Sequence, residues 1–177
     1  MKEYTLGHIA GLKISGTPTA MVAALLLWLL LSGLALTVLD FRPGQAILSG
    51  LLGVILHWLS EINHHLGHAW AAKRTGYPMI GVRMGLLGLF AASLYPPHEP
   101  DLPAGIHIRR AVGGPAGSLL LSLLAAILAL ALRPVGGLLW WLVLFLSLEN
   151  LFVFTLGALI PLGFNDGSTL LKWWGKL

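Results

Sequence analysis

Four stretches of apolar residues, each close to the length that crosses a lipid bilayer, dominate this sequence. They run over about residues 19–39, 46–72, 111–132 and 138–160, and a membrane-spanning helix needs about 20 apolar residues. Only 10% of the 177 residues are charged, whereas soluble domains carry about 25%. The chain is therefore predicted to be a polytopic integral membrane protein, with residues 1–177 forming a single membrane-embedded domain in contact with the lipid bilayer.

The distribution of basic residues predicts how the chain is oriented. Four spans place both termini on one side, and with that side in the cytoplasm nine Lys and Arg residues lie inside. Only Arg42 and Arg133 then lie outside, which is the bias that cytoplasmic loops show. We therefore expect a multi-pass topology with a cytoplasmic N-terminus and C-terminus. The net charge of +4 is attributed to this bias, and no nucleic-acid binding is expected.

Two further regions are too short or too interrupted to span a bilayer. Residues 4–17 surround a Gly turn and predict two short strands. Residues 79–95 are apolar but contain Arg83 and three glycines, a pattern that fits either a hairpin or a re-entrant segment. The sequence contains no cysteine, so any metal site must use other ligands.

The second apolar stretch carries a cluster of ionisable residues. Five of them fall within twelve positions: His57, Glu61, His64, His65 and His68. At about 100° per residue, all five project within an arc of about 100°. Ionisable side chains within a span are costly and mark a functional site by default. This face of the helix therefore predicts a site in the bundle interior.

Two of these histidines have the spacing of metal ligands. His64 and His68 lie one helical turn apart, the arrangement by which a helix supplies two nitrogen ligands to zinc. A catalytic zinc needs a third protein ligand, and Asp166 follows the fourth apolar stretch on the same predicted side. Its position before Gly-Ser-Thr equally predicts a helix N-cap. The residues alone leave both interpretations open.

Four motifs in order resemble the site-2 protease family of intramembrane zinc metalloproteases. Residues 6–14 resemble the family's N-terminal strand, and His64-His65-Leu66-Gly67-His68 stands where the family has His-Glu-x-Gly-His. Residues 114–118 resemble its Gly-Pro-x-x-Asn turn at the start of the third core helix. Residues 158–167 resemble its Asn-Leu-x-Pro-x-Pro-x-Leu-Asp-Gly loop.

The resemblance implies a fold, a cofactor and a reaction. The fold class would be an all-α polytopic membrane protein with four transmembrane helices and a small membrane-embedded β element, made of the N-terminal strands and a hairpin near 79–95. One Zn²⁺ ion would be held by His64, His68 and Asp166. The partners would be transmembrane protein substrates, cleaved near the cytoplasmic side.

The main departure from the family concerns the catalytic base. The family has a Glu directly after the first histidine, and this chain has His65 there. His65 and Glu61 are therefore the candidate catalytic residues, because an imidazole titrates near neutral pH and Glu61 lies four residues earlier, where it can pair with His65. A third interpretation is a catalytically inactive pseudo-protease that binds transmembrane partners without cutting them.

A second polar pair within a span is Glu149-Asn150. It predicts either an interhelical hydrogen bond to the second span or a contact that orients a metal ligand. Glu61 and Glu149 together also leave an ion-coupled transporter as an alternative. Many transporters are built from inverted repeats, and no repeat is visible in this sequence.

Overall fold

The structure is a computed structural model that describes residues 2–176. Over these residues most of the chain is helical, and four helical segments are long and apolar enough to cross a membrane. The helices are α1 (Pro18–Thr37), α2 (Pro43–Arg74), α3 (Ala104–Leu132), α4 (Gly137–Leu151), a π-helix that continues α4 (Phe152–Gly157), and α5 (Asp166–Trp174).

The strands form one small mixed sheet in the order β1 (Tyr4–Ile9), β2 (Leu12–Gly16), β3 (Gly81–Leu86) and β4 (Phe90–Leu94). The first two strands and the last two strands are antiparallel hairpins, whereas β2 and β3 are parallel. A parallel pair needs a long crossover, and here the crossover from Lys13 to its partner Gly81 contains α1 and α2. The two hairpins therefore lie at the same end of this helix pair.

The central helix of the bundle is α2. It packs along α1, α3 and α4, and its C-terminal part lies against the sheet, where Ile14, Ala72 and Val82 are buried together. Small residues let the helices approach closely, since a side chain on Gly67 would meet the Gly113 carbonyl oxygen of α3 at 2.3 Å. Contacts of this kind are how membrane helices pack, and they bring the histidines of α2 next to α3.

The observed helices agree with the four predicted spans, with one difference in α3. This helix begins at Ala104, well before the predicted start at residue 111, because the prediction followed apolar residues and the extra turns carry His107 and Arg110. Gly114 and Pro115, expected to form a turn that opens the helix, lie inside it. That expectation was wrong. Pro115 has no N–H, so the helix lacks one hydrogen bond there, and its ring crowds the carbonyl four residues earlier.

Residues 79–95 form the β3–β4 hairpin and not a re-entrant segment. Gly85 and Gly88 have φ values of 98° and 89°, a conformation that glycine adopts without strain. A side chain on Gly85 would also collide with Thr17 Oγ1 at the start of α1. The glycines therefore serve the turn and its close contact with α1. The depth of the sheet in the bilayer and the extent of the domain stay predictions.

Candidate metal centre and its cavity

The ionisable residues of α2 lie inside the bundle. His57, Glu61, His64, His65 and His68 are each 2–6% exposed. The neighbours of α2 are α3, α4 and β4 on this side, whereas Leu59 and Leu51 on other faces are exposed. The arc inferred from helical geometry therefore faces protein and not lipid.

Three candidate ligand atoms converge at His64, His68 and Asp166. The two Nε2 atoms are 3.0 Å apart, and they lie 3.2 and 3.3 Å from the two carboxylate oxygens of Asp166. This contact joins α2 to the start of α5, 102 residues away in sequence. A tetrahedral zinc with bonds of about 2.0–2.1 Å separates its ligand atoms by about 3.3 Å, so the spacing fits one ion.

The other ring nitrogens make contacts that orient these imidazoles. His68 Nδ1 is 2.8 Å from the Arg110 carbonyl oxygen, and His64 Nδ1 is 3.0 Å from Ser118 Oγ. The Gly114 amide also lies 3.1 Å from His68 Nδ1, but a carbonyl oxygen only accepts, so the contact with Arg110 places the His68 proton on Nδ1. With both histidines neutral, only His64 can then bring a proton to this site. The two Nε2 atoms and the two carboxylate oxygens therefore share at most one proton. A divalent cation would satisfy all four atoms.

Gly114 of α3 keeps the space in front of both imidazoles open. A methyl group on Gly114 would lie 2.3 Å from His68 Nε2 and 2.5 Å from His64 Nε2. These values are close to the zinc–nitrogen bond length of about 2.0–2.1 Å. The donors and the space beside Gly114 therefore fit a zinc ion, held by His64, His68 and Asp166.

The loop before α5 directs Asp166 toward the histidines. Asn165, not Asp166, is the N-cap of α5, because its side-chain oxygen accepts the Ser168 amide at 3.3 Å. The N-cap interpretation of Asp166 was therefore wrong. Burial raises the pKa of the Asp166 carboxyl, but the His64 and His68 imidazoles beside it outweigh this effect and leave the pKa at about 2. Asp166 is thus an anion at neutral pH, as a zinc ligand must be.

Glu61 and His65 form a second buried pair, fixed against β4. Glu61 Oε2 is 3.4 Å from His65 Nε2 and accepts the Ala91 amide at 3.2 Å. His65 Nδ1 is 2.9 Å from Ser93 Oγ. Glu61 Oε1 is buried and has no hydrogen-bond partner within residues 2–176. The structure thus places the two candidate catalytic side chains in contact, and their catalytic roles stay predictions.

His57 makes a separate polar contact farther from the C-terminus of α2. Its Nδ1 is 2.8 Å from Glu149 Oε1 of α4, and its Nε2 is 2.9 Å from the Leu89 carbonyl in the β3–β4 turn. The adjacent Asn150 donates to Ser60 Oγ of α2 at 2.8 Å. Glu149 and Asn150 therefore make the interhelical contacts that were one of the two expectations for them.

A cavity of about 530 Å³ opens onto the candidate ligands. Its wall also contains residues that the sequence did not single out for the site: Tyr95, Glu99, His107 and Arg110. His107 stacks on Trp173 of α5, with the two ring centres 4.2 Å apart. The sequence does contain a signal for Arg110. This arginine lies one helical turn before Gly114, at the entrance of a span, where a charge needs a partner.

Comparisons with known proteins establish what the fold resembles. No family model matches the chain, and no curated protein matches it. Among solved structures, the Site-2 Protease from Methanocaldococcus jannaschii is similar, with a TM-score of 0.62. The match covers 97% of this chain and 70% of that chain, at 21% sequence identity. At this identity the likeness concerns the fold, and it confirms the helical bundle with a small sheet: the chain has the fold of a site-2 protease.

Proposed function

We propose that this protein is a site-2-protease-like intramembrane zinc metalloprotease that cleaves transmembrane segments near the cytoplasmic side of the bilayer. One observation carries the proposal. Two histidines of a membrane-spanning helix and an aspartate from a distant loop present their ligand atoms 3.0–3.3 Å apart at a cavity. The likeness in fold to a site-2 protease supports the reaction class by analogy.

His64, His68 and Asp166 would hold the ion and leave one tetrahedral position open, as catalytic zinc sites do. Zinc would supply Lewis-acid activation of a water molecule and of the scissile carbonyl. The protein's own contribution is orientation. The contacts of His64 with Ser118 and of His68 with the Arg110 carbonyl hold both rings with Nε2 toward Asp166, in the manner of outer contacts in metal sites.

Glu61 is the side chain best placed to move a proton. Its Oε2 is held by the Ala91 amide, and its Oε1 has no partner within the described part of the chain. Oε1 would accept a proton from the attacking water and return it to the leaving amine nitrogen. Both nitrogens of His65 already contact Ser93 and Glu61, so His65 would act through Glu61, by holding its carboxylate in place.

The sheet supports the proposed topology independently of charge. Because β2 precedes α1 and β3 follows α2, their pairing brings the start of α1 and the end of α2 to the same side, which supports a crossing of the membrane by α1 and α2 as a pair. Residues 2–16 and the loop after β4 then lie on one side. The bias of basic residues assigns that side, and both termini, to the cytoplasm. A transmembrane substrate would reach the cavity from the lipid and be cut near that side.

The test separates metal binding from cleavage. Purified protein should contain one zinc ion and should cut a model transmembrane segment. His64→Ala and Asp166→Ala should lose both properties, because each removes a ligand. Glu61→Gln should keep its zinc and lose about 10²–10⁴ in cleavage rate, because a general base contributes that much. Protein that holds no zinc under any loading condition would end the proposal.

A pseudo-protease is the second candidate, and the contacts of His65 favour it. At the position of the family's Glu, both nitrogens of this imidazole are engaged by Ser93 and Glu61. If wild-type protein binds a model segment without cutting it and His65→Glu cuts it, the natural chain is a binding protein. If wild-type protein cuts the segment and His65→Glu does not, the role assigned to the Glu61–His65 pair stands.

A further inference from the structure

Arg110 is a buried cation in the wall of the cavity. It is 5% exposed, its guanidinium lies 4.2 Å from the centre of the Tyr95 ring, and one terminal nitrogen donates to the Tyr77 carbonyl. Its own backbone carbonyl accepts the His68 Nδ1–H at 2.8 Å. The guanidinium therefore projects from the same turn of α3 that orients a candidate zinc ligand.

The carboxylate that neutralises Arg110 comes from a weakly held segment. Glu99 accepts from the two terminal guanidinium nitrogens at 2.6 and 2.9 Å, and this hydrogen bonding lowers the pKa of the Glu99 carboxyl. Glu99 belongs to the proline-rich segment, residues 95–103. Residues 96–101 of this segment make no backbone-to-backbone hydrogen bond with any residue between 2 and 176. The ion pair is therefore the main polar tether of these residues.

The guanidinium also has donating capacity to spare. Arg110 Nε is buried and lacks a hydrogen-bond partner among the described residues. Unpaired buried donors are uncommon in folded proteins. An incoming carboxylate could therefore bind Arg110 Nε while Glu99 still holds the two terminal nitrogens. Two basic side chains lie at the end of α5. Lys172 within the helix and Lys176 just after it lie 5.3 and 4.9 Å from the Trp173 ring that stacks on His107.

We infer that Arg110 is an anion subsite of the cavity, occupied by Glu99 in this conformation, and that an acidic side chain beside the apolar stretch of a transmembrane segment takes the place of Glu99. The inference rests on the proposed function, since it supplies the substrate preference of the same cavity. Exchange of one carboxylate for another keeps the buried guanidinium paired, whereas loss of its partner would leave a costly buried charge. The displaced Glu99 returns to water and takes the proline-rich segment with it.

The test compares two synthetic single-span peptides that differ only by Glu or Gln directly after the apolar stretch. Each carries a dye and is titrated onto the zinc-loaded full chain in phosphatidylcholine nanodiscs, whose lipid has no net charge. On wild-type protein, the Glu peptide should bind about threefold more tightly than the Gln peptide. On Glu99→Gln protein the difference should be at least about tenfold, because the charge-assisted hydrogen bond forms without an internal competitor.

Asp101→Asn is the matched control. Asp101 lies two positions along the same segment, is exposed, and makes no ion pair within residues 2–176, so its variant should behave as wild type. Equal binding of both peptides to Glu99→Gln would overturn the subsite and leave the proposed function standing. If neither peptide binds, both the subsite and the proposed function are overturned. If Glu99→Gln does not fold, equal affinities of the two peptides for wild-type protein overturn the subsite.

Discussion

Two of the buried histidine–carboxylate clusters beside α2, those of His57 and of His64 with His68, differ in how their protons are distributed. In the cluster of His57 and Glu149, the imidazole has one nitrogen for the carboxylate and one for the Leu89 carbonyl, so its own protons can satisfy both contacts. In the cluster of His64, His68 and Asp166, the His68 proton points away to a carbonyl, and the two Nε2 atoms and two carboxylate oxygens share at most one proton. In the first cluster one protonated imidazole supplies both contacts, and Glu149 Oε2 alone lacks a hydrogen-bond partner among the described residues of this cluster. The second cluster has too few protons for its four facing atoms, which is the chemistry of a cation site.

Gly114→Ala should break this comparison most strongly. The new methyl group would stand 2.3–2.5 Å from both Nε2 atoms and occupy the space for the ion without removing any ligand. Loss of an outer contact of a metal site lowers affinity by up to about 100-fold, and Gly114→Ala should lower zinc affinity by more than that. Metal analysis after equilibrium dialysis would measure the change.

The neighbouring Gly117→Ala is the control for Gly114→Ala. Its methyl group would meet its nearest atom, the Gly67 Cα, at an ordinary 3.4 Å, so this variant should keep its zinc. Wild-type zinc affinity in Gly114→Ala would show that the ion does not bind in front of these imidazoles.

His57→Leu should have the next largest effect, on stability and not on metal. It leaves Glu149 buried without its cationic partner, and breaking such a pair costs about 3 kcal/mol or more of unfolding free energy. Tryptophan fluorescence during thermal unfolding in detergent would measure the loss. The double variant His57→Leu/Glu149→Leu should recover much of it, because no unpaired charge remains. Loss of zinc from the single variant would contradict the separation of the two clusters.

Ser118→Ala should have the smallest effect and should sharpen the boundary of the metal cluster. It removes the hydroxyl that contacts His64 Nδ1 at 3.0 Å, and such outer contacts contribute about 10- to 100-fold in metal affinity. Ser93→Ala removes the equivalent hydroxyl from His65, at 2.9 Å, and should leave zinc affinity unchanged. A similar loss in both variants would mean that His65 is itself a ligand.

The spans and the polar face of α2 were predictable because they depend on local geometry. Span length follows from bilayer thickness, and helical rotation converts the spacing of His57, Glu61 and His64 into a common direction. The start of α3 was missed because its first turns carry Arg110, and hydropathy does not register a helix that extends beyond the apolar core. Arg110 becomes compatible with that position only through Glu99, a partner that its own helix does not contain.

The third candidate ligand shows where local reasoning ends. Asn165 and Asp166 are both good N-cap residues, so propensity cannot separate them. The loop decides, because the Asn165 Nδ2 donates to backbone carbonyls of the preceding residues, which a carboxylate cannot do. With Asn165 capping the helix, Asp166 is left to face α2. A choice of this kind depends on carbonyls placed by the end of the π-helix, which no spacing rule describes.

The parallel pairing of β2 with β3 has a consequence for biosynthesis. The partner of Lys13 is Gly81, so about 68 residues must be made before the second strand can find its neighbour. At a translation rate of about 5–20 residues per second, the first hairpin waits for about 3–14 seconds while α1 and α2 enter the membrane. During that interval one edge of β2 is unpaired, and such edges invite wrong partners. A nascent chain stalled before residue 81 should therefore expose its N-terminal hairpin to protease, whereas one released after residue 94 should protect it.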